Sequence, residues 1–280
     1  MKTQNLSFKD FMMMLSIFLI GFCFRACAQN NCYPAQLPQA SFDNRAEHQY
    51  RVVTDYLSYD IYGTFSSKLR ISGDYTSGLD KGKLRWNNVH RVRIYDEKAE
   101  FPYGDSLSFM NGFSYTYEQD ITSPDFFRTF PFDDMEARNL VWDMAGMEFF
   151  AWSFSSVLQL NVPYHAKEAN GSVDLSGLGQ FTNRDIVLTW KGMTEVDGNQ
   201  LAIVDYRVMN NPLDVNIDMG TMKMATKGRS HYWGTIWVDC TNTCIDHIEL
   251  FEDVVMEMQI GNSEKQLLDV VREMKVTKIY

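Results

Sequence analysis

The sequence lacks the short motifs that mark the common classes of enzyme. It contains no Gly-x-Ser-x-Gly elbow for a nucleophilic serine. It also contains no His-Glu-x-x-His pair for zinc and no Gly-x-Gly-x-x-Gly loop for a dinucleotide. The five histidines are scattered along the chain. We therefore expect no catalytic residues, no metal ligands and no cofactor, with an unrecognised hydrolase as the enzymatic alternative.

The chain also has little positive charge. It carries 36 acidic and 26 basic residues, for a net charge of −10. Residues 1–28 contain three basic residues and one acidic residue, so the rest of the chain has a net charge of −12. Proteins that bind nucleic acid neutralise phosphates with lysine and arginine. We therefore expect no nucleic-acid partner.

Long hydrophobic runs are scarce, and the clearest one lies near the start of the chain. Lys2 and Lys9 precede the apolar residues 11–24, and Ala-Cys-Ala follows at 26–28. This order is typical of a secretory signal peptide, and 14 apolar residues are fewer than the roughly 20 that span a bilayer. We expect cleavage after Ala28 and an exported protein, periplasmic or secreted, without a membrane span. An uncleaved anchor and a lipoprotein modified at Cys27 are the alternatives.

The remaining composition favours a folded β-rich domain. Hydrophobic residues make up 45% of the chain and aromatic residues 14%, which predicts a packed core. We expect an irregular lead-in at 29–48 and a single β-rich domain at 49–280. Within it, strands are predicted at 50–62, 64–72, 83–96, 106–118, 184–191, 200–209, 214–226, 231–240, 244–260 and 265–280.

One long helix is predicted at about residues 134–158. Asp133 or Asp134 can cap its start, and Glu136 follows Asp133 at capping-box spacing. Its apolar residues recur at spacings of three and four, and its flanks are apolar as well. Such a helix is either buried on most sides or covers an apolar ligand. The candidate ligand-binding residues are Trp142, Met144, Met147, Phe150, Trp152 and Phe154.

The strand pattern predicts the architecture. Asp197-Gly198 is suited to a tight hairpin turn, and a one-residue shift of the apolar pattern at Gly220 suggests a β-bulge. Several predicted strands exceed ten residues, which suits a barrel or an open half-barrel. We expect a mainly β fold: a long antiparallel meander that forms a curved half-barrel around one main α-helix. Residues 111–112, Asn-Gly, suggest a further hairpin.

Two cysteines lie between strands at the end of the chain. If Cys240 and Cys244 face each other across a three-residue turn, Val238 lies opposite Asp246, and the two thiols can form a disulfide. An oxidising compartment favours this bond. A metal site, unpaired thiols and a bond to Cys32 are the alternatives.

The C-terminal third resembles a known group of proteins. The segments LTWKGMTEVDGNQLAIVDYRV (188–208) and GTIWVDCTNTCIDHIELFE (234–252) resemble hairpins of the LolA-like half-barrel proteins of Gram-negative lipoprotein sorting. They also resemble uncharacterised exported proteins of the Bacteroidetes lineage. The resemblance implies a curved antiparallel sheet around a helix, with an apolar concave face that holds acyl chains in the sorting proteins.

Together these features predict an exported, non-enzymatic protein that binds an apolar or lipid-like ligand on the concave face of a half-barrel. The alternative is a cell-envelope interaction or structural module, with a filled core and an envelope protein as its partner.

Overall fold

The computed structural model describes Leu37 and residues 46–79, 82–116, 123, 125–218 and 223–279. The predicted signal peptide and most of the lead-in lie outside these residues. The described residues contain one α-helix, α1 (Met135–Ser153), and thirteen strands. The strands are β1 (His48–Asp60), β2 (Phe65–Leu79), β3 (Lys83–Ile94), β4 (Asp105–Ser106), β5 (Ser114–Thr116), β6 (Tyr164–His165), β7 (Gly171–Asp174), β8 (Gly179–Asn183), β9 (Ile186–Val196), β10 (Asn199–Asp218), β11 (Lys223–Asp239), β12 (Cys244–Ile260) and β13 (Gln266–Ile279).

All thirteen strands belong to one antiparallel sheet. They follow the spatial order β4-β3-β2-β1-β13-β12-β11-β10-β8-β7, with β5 beside β3, β9 beside β10 and β6 beside β9. The sheet does not close, and it curves as a half-barrel around α1. This confirms the predicted mainly β, antiparallel half-barrel around one helix.

Cross-strand pairing brings distant parts of the chain together at the centre of the concave face. In β1, Tyr56 lies opposite Leu69 of β2 on one side and Arg272 of β13 on the other. Arg272 lies opposite Glu252 of β12. Glu252 in turn lies opposite Tyr232 of β11. We call Leu69, Tyr56, Arg272, Glu252 and Tyr232 the central row.

Helix α1 begins at one of the two predicted caps. The Asp134 carboxylate accepts a hydrogen bond from the Ala137 amide at 3.0 Å, which satisfies one free N–H of the first turn. The predicted capping box is wrong, because Glu136 is the second helical residue rather than the third. Its carboxylate instead pairs with Arg91 and Arg93, at 3.3 and 3.4 Å.

The helix ends five residues earlier than predicted. Residues 154–157 form a turn, and the chain then continues to Leu160, which bridges to Trp190 of β9. The apolar stripe on α1 is nevertheless buried as expected, since Leu140 and Met144 have no exposed surface. The helix packs on the concave face, against β2, β11 and β12.

The hairpin predicted at Asp197-Gly198 is confirmed. Both residues have positive φ angles, +50° and +81°, which a two-residue hairpin turn requires. The flanking Val196 and Asn199 pair directly, so β9 and β10 are adjacent antiparallel strands.

Two other local predictions are wrong. The Asn111-Gly112 turn does not join a hairpin, because β4 and β5 each pair with β3 and the Gly112 amide bonds to the Trp86 carbonyl. Residues 214–226 are not one bent strand, because Asp218 of β10 pairs with Lys223 of β11. Residues 214–218 and 223–226 therefore belong to two separate antiparallel strands. The bulge predicted at Gly220 lies outside the described residues.

Candidate ligand-binding cavity

A cavity of about 490 Å³ lies between α1 and the concave face of the sheet. One wall is a stripe of α1 at helical spacing that includes Asn139, Asp143 and Gly146. The central row forms the opposite wall, and β7 and β8 border one side. Apolar side chains on these walls include Trp142, Met147, Phe150, Leu213, Val254 and Met256.

The structure separates the six candidate ligand-binding residues into two groups. Trp142, Met147 and Phe150 line the cavity. The other three do not line it. Met144 is fully buried in the core, and Phe154 is buried against the rings of Phe149 and Tyr164. Trp152 is half-buried and packs against the core.

A buried charge cluster lies on the cavity wall where α1 meets the central row. Asp143 of α1 pairs with Arg272 at 2.5 Å, and Glu252 pairs with the Nε of the same arginine at 2.6 Å. The hydroxyl of Ser230 donates a hydrogen bond to the other oxygen of Glu252. All four residues are at least nine-tenths buried. Two carboxyl groups therefore share one guanidinium group inside the protein.

Burial and the unequal number of charges perturb the proton affinities of this cluster. Burial raises the pKa of Asp143 to about 6; attraction to Arg272 opposes this rise and repulsion from Glu252 adds to it. Burial acts to lower the pKa of Arg272, but attraction to Asp143 and Glu252 is stronger and raises it well above its usual value. The arginine therefore stays charged, while Asp143 titrates near neutral pH.

The tyrosines around the cluster stay neutral. Burial raises the pKa of Tyr56 to about 12, although Arg272 opposes this rise. Burial also raises the pKa values of Tyr232 and Tyr206 above the usual value for a phenol. The Tyr232 hydroxyl donates to Asn183 at 2.9 Å. These rings contribute apolar surface and neutral hydroxyl groups to the region around the cluster.

The sequence contained a signal for this cluster that the apolar pattern concealed. Asp143 stands among apolar residues of a helix that buries most of its surface, and a buried carboxylate needs a partner. Its partner could not be identified from the sequence, because Arg272 lies 129 residues away.

A second buried acid on α1 belongs to the core. Glu148 is only 2% exposed, and its carboxylate accepts a hydrogen bond from the Tyr75 hydroxyl at 2.9 Å. Neither residue lines the cavity.

The two cysteines of the β11–β12 turn are free thiols. A register shift between Trp237 and Val238 places Val238 opposite Ile245, so the predicted pairing of Val238 with Asp246 is wrong. Because of the shift, Cys244 lies opposite Asp239, and Cys240 lies in the turn. The predicted disulfide between Cys240 and Cys244 is therefore not formed.

The thiols also have different surroundings. The Cys240 amide bonds to the Gln200 carbonyl of β10, at 2.9 Å. On the other side of the hairpin, Lys278 of β13 donates to the Cys244 sulfur at 3.2 Å. Burial raises the pKa of both thiols, which makes them slow nucleophiles.

The described residues contain neither a cluster of metal ligands nor a membrane-spanning helix. No group of three or more His, Cys, Asp or Glu side chains in this part of the chain is arranged to hold a metal ion. Within the same residues, no helix has the length and apolar character needed to cross a membrane.

Comparisons with known proteins provide no family. No protein-family model matches the chain, and no curated protein matches it. Among solved structures, the chain is weakly similar to in-vitro folded OmpT, an outer membrane protein of Vibrio cholerae in its trimer form. That match has 6% identity and a TM-score of 0.13, and covers 84% of this chain and 99% of the other. A similarity this low carries no information on fold or function, and the resemblance to lipoprotein-sorting proteins stays a prediction.

Proposed function

We propose that this is an exported, non-enzymatic binding protein that holds an apolar or lipid-like ligand in the cavity between α1 and the sheet. The observation that carries the proposal is the cavity itself. Its volume of about 490 Å³ lies within the range of about 300–1,000 Å³ that is typical of small-molecule sites. Such sites combine mostly apolar walls with a few positioned polar groups. Here the apolar side chains of α1 and the sheet surround one buried charge cluster.

The cavity favours this proposal over a module with a filled core. Core side chains pack at nearly crystalline density, and a filled half-barrel would leave few voids larger than a water molecule. The apolar residues of α1 then have two roles. One face, with Leu140 and Met144, packs in the core. The cavity-facing stripe presents Trp142 and Phe150 to a ligand.

Gly146 offers a direct test, because it lines the cavity at the middle of α1. A Cβ atom added there would meet nothing within 4 Å apart from the adjoining helix backbone and chain neighbours, so a larger side chain can extend into the open space. We expect Gly146→Phe to occupy the ligand volume and Gly146→Ala to leave most of it. Val196→Phe, at an exposed position on the β9–β10 hairpin, adds a ring far along the chain from α1 and serves as a control.

The experiment has two readouts. The purified protein and each variant are extracted with organic solvent for mass spectrometry, and each is titrated with the uncharged fluorescent probe N-phenyl-1-naphthylamine. We expect wild type, Gly146→Ala and Val196→Phe to retain ligand or bind the probe, and Gly146→Phe to lose at least about tenfold in affinity, or about 1.4 kcal/mol. Failure of wild-type protein in both readouts, or unchanged binding by Gly146→Phe, would refute the proposal.

A further inference from the structure

The cavity has an acidic polar surface. Among the described residues, four carboxyl groups line it, from Glu136, Asp143, Glu168 and Glu252, against two guanidinium groups, from Arg93 and Arg272. Glu136 and Arg93 neutralise each other near the start of α1. In the charge cluster, Asp143 and Glu252 together outnumber Arg272. An anionic ligand group placed beside this cluster would therefore meet excess negative charge.

The hydrogen bonds of the cluster also favour a ligand group that donates a hydrogen bond over one that is anionic. Arg272 pairs with both acids: its Nη1 donates a hydrogen bond to Asp143, and its Nε lies 2.6 Å from Glu252 as an ion pair, without the geometry of a hydrogen bond. One oxygen of Glu252 faces this Nε, and the other accepts a hydrogen bond from Ser230. Asp143 uses only its Oδ2 atom, and among the described residues no other hydrogen bond reaches its carboxyl group. Its Oδ1 atom is thus an acceptor on the cavity wall that a ligand can use.

Resting on the proposed function, we infer that the ligand is an amphiphile whose polar end is a hydrogen-bond donor without negative charge, a hydroxyl or an ammonium group, bound to Asp143. The tail of such a ligand would lie along the apolar walls, beside Trp142 and Phe150. A donor from the ligand that reaches this acceptor would make a hydrogen bond to a charged group and so stabilise the complex. A fatty-acid carboxylate or a phosphate would instead add a third negative charge next to Asp143 and Glu252.

The charge of Asp143 can be varied by pH, and the groups that face it determine how the total charge of the cluster then changes. They are Arg272, Glu252 and the hydroxyl groups of Tyr56, Tyr206 and Tyr232. Arg272 and the three phenols keep their charge states at and below neutral pH, because their pKa values are raised. Protonation of Asp143 below about pH 6 takes one negative charge from the cluster. The excess negative charge of the cluster is then removed.

The test compares three ligands with the same ten-carbon chain: decanol, decylamine and decanesulfonate. The first is neutral, the second is an ammonium ion and the third stays anionic at both pH 8 and pH 5. The affinity of each ligand is measured by its displacement of N-phenyl-1-naphthylamine from the wild-type protein. At pH 8 we expect decanesulfonate to bind at least tenfold more weakly than decanol or decylamine. At pH 5 we expect this difference to shrink by at least threefold.

A variant tests the assigned residue. Asp143→Asn removes one negative charge, and the neutral side chain keeps an oxygen acceptor. We expect it to strengthen decanesulfonate binding and to weaken decylamine binding, each by about tenfold at pH 8, with less change for decanol. Trp142→Leu is the matched control on the same wall, and it should weaken all three ligands together.

The outcomes separate this inference from the proposed function. Equal displacement by decanesulfonate and decanol at pH 8 would overturn the inference, while probe binding by wild type and its loss in Gly146→Phe would leave the proposed function standing. Absence of probe binding by wild type would overturn both. If Asp143→Asn does not fold, the wild-type comparison at the two pH values decides the inference.

Discussion

Arg272→Met is the substitution for which the structure predicts the largest local effect. Arg272 is 8% exposed and holds Asp143 and Glu252 at 2.5 and 2.6 Å. Methionine fills a similar volume but leaves two buried carboxyl groups without their counter-charge. Breaking a buried ion pair by removing one partner costs about 3–5 kcal/mol. Folded domains are stabilised by roughly 5–15 kcal/mol, so the variant should fold but unfold at a much lower urea concentration.

The loss should depend on pH in a defined direction. Burial already raises the pKa of Asp143 to about 6, above its usual value of 3.8, so the folded state binds this proton more tightly than the unfolded state. Stability linked to this group therefore falls as pH rises from about 4 through 6. Removal of Arg272, whose attraction opposes this rise in pKa, raises the pKa of Asp143 further and extends the same trend to higher pH. The stability lost by Arg272→Met should consequently be smaller at pH 5 than at pH 7.

The assay is urea unfolding of wild type, Arg272→Met and Arg272→Met/Asp143→Asn at pH 7 and pH 5. The double variant removes one unpaired carboxylate, so we expect it to recover about 1–3 kcal/mol at pH 7. Arg93→Met is the control. The Arg93 side chain is 43% exposed and pairs with Glu136 at 3.4 Å, and exposed pairs contribute about 0–1 kcal/mol. A loss by Arg272→Met below about 1 kcal/mol at pH 7, or one unchanged at pH 5, would refute this reasoning.

Three further predictions concern single positions. Gly146→Ala should raise the free energy of unfolding by about 1 kcal/mol, since alanine favours a helix interior and its methyl group meets open space; a drop in thermal midpoint would contradict this. Gly234→Ala should prevent folding or cost at least about 3 kcal/mol of stability, because the added Cβ would lie 1.9 Å from the Glu249 carbonyl oxygen on the neighbouring strand. Circular dichroism tests whether the variant folds, and urea unfolding measures the loss of stability. A near-neutral result would show that β11 and β12 can separate. Cys240 and Cys244 should both react with iodoacetamide in denaturant without reductant, and a peptide that stays unlabelled until reduction would show that they are bonded.

Sequence reasoning predicted the features of this protein that depend on local patterns. The alternation of long strands gave the β class, and the spacing of Leu140 and Met144 located the buried face of α1. Asp197-Gly198 gave a correct hairpin because a two-residue turn depends on few neighbours. The errors arose where the local structure depends on which strands pair and in which register. A register shift beside Val238 places Cys244 opposite Asp239 rather than opposite Cys240, and β4 and β5 both pair with β3 rather than with each other.

The candidate site shows the same division. Trp142, Met147 and Phe150 could be proposed from the sequence because an apolar helix must cover something. Which of its faces meets the core and which meets a cavity depends on how α1 lies against the sheet, and for this reason the sequence could not separate Met144, which lies in the core, from the residues that line the cavity.

By itself, the sequence determined the β-rich class, the position of the helix and its apolar character, because these follow from side-chain periodicity along a local stretch of chain. Only the tertiary structure decided that β13 pairs with β1 and β12, which brings Arg272 beside Tyr56 and Glu252 in one row. It also decided that Asp143 faces this row across an open cavity. These contacts depend on strand register and helix placement, and the contacts of Arg272 with Tyr56 and Asp143 join segments more than a hundred residues apart.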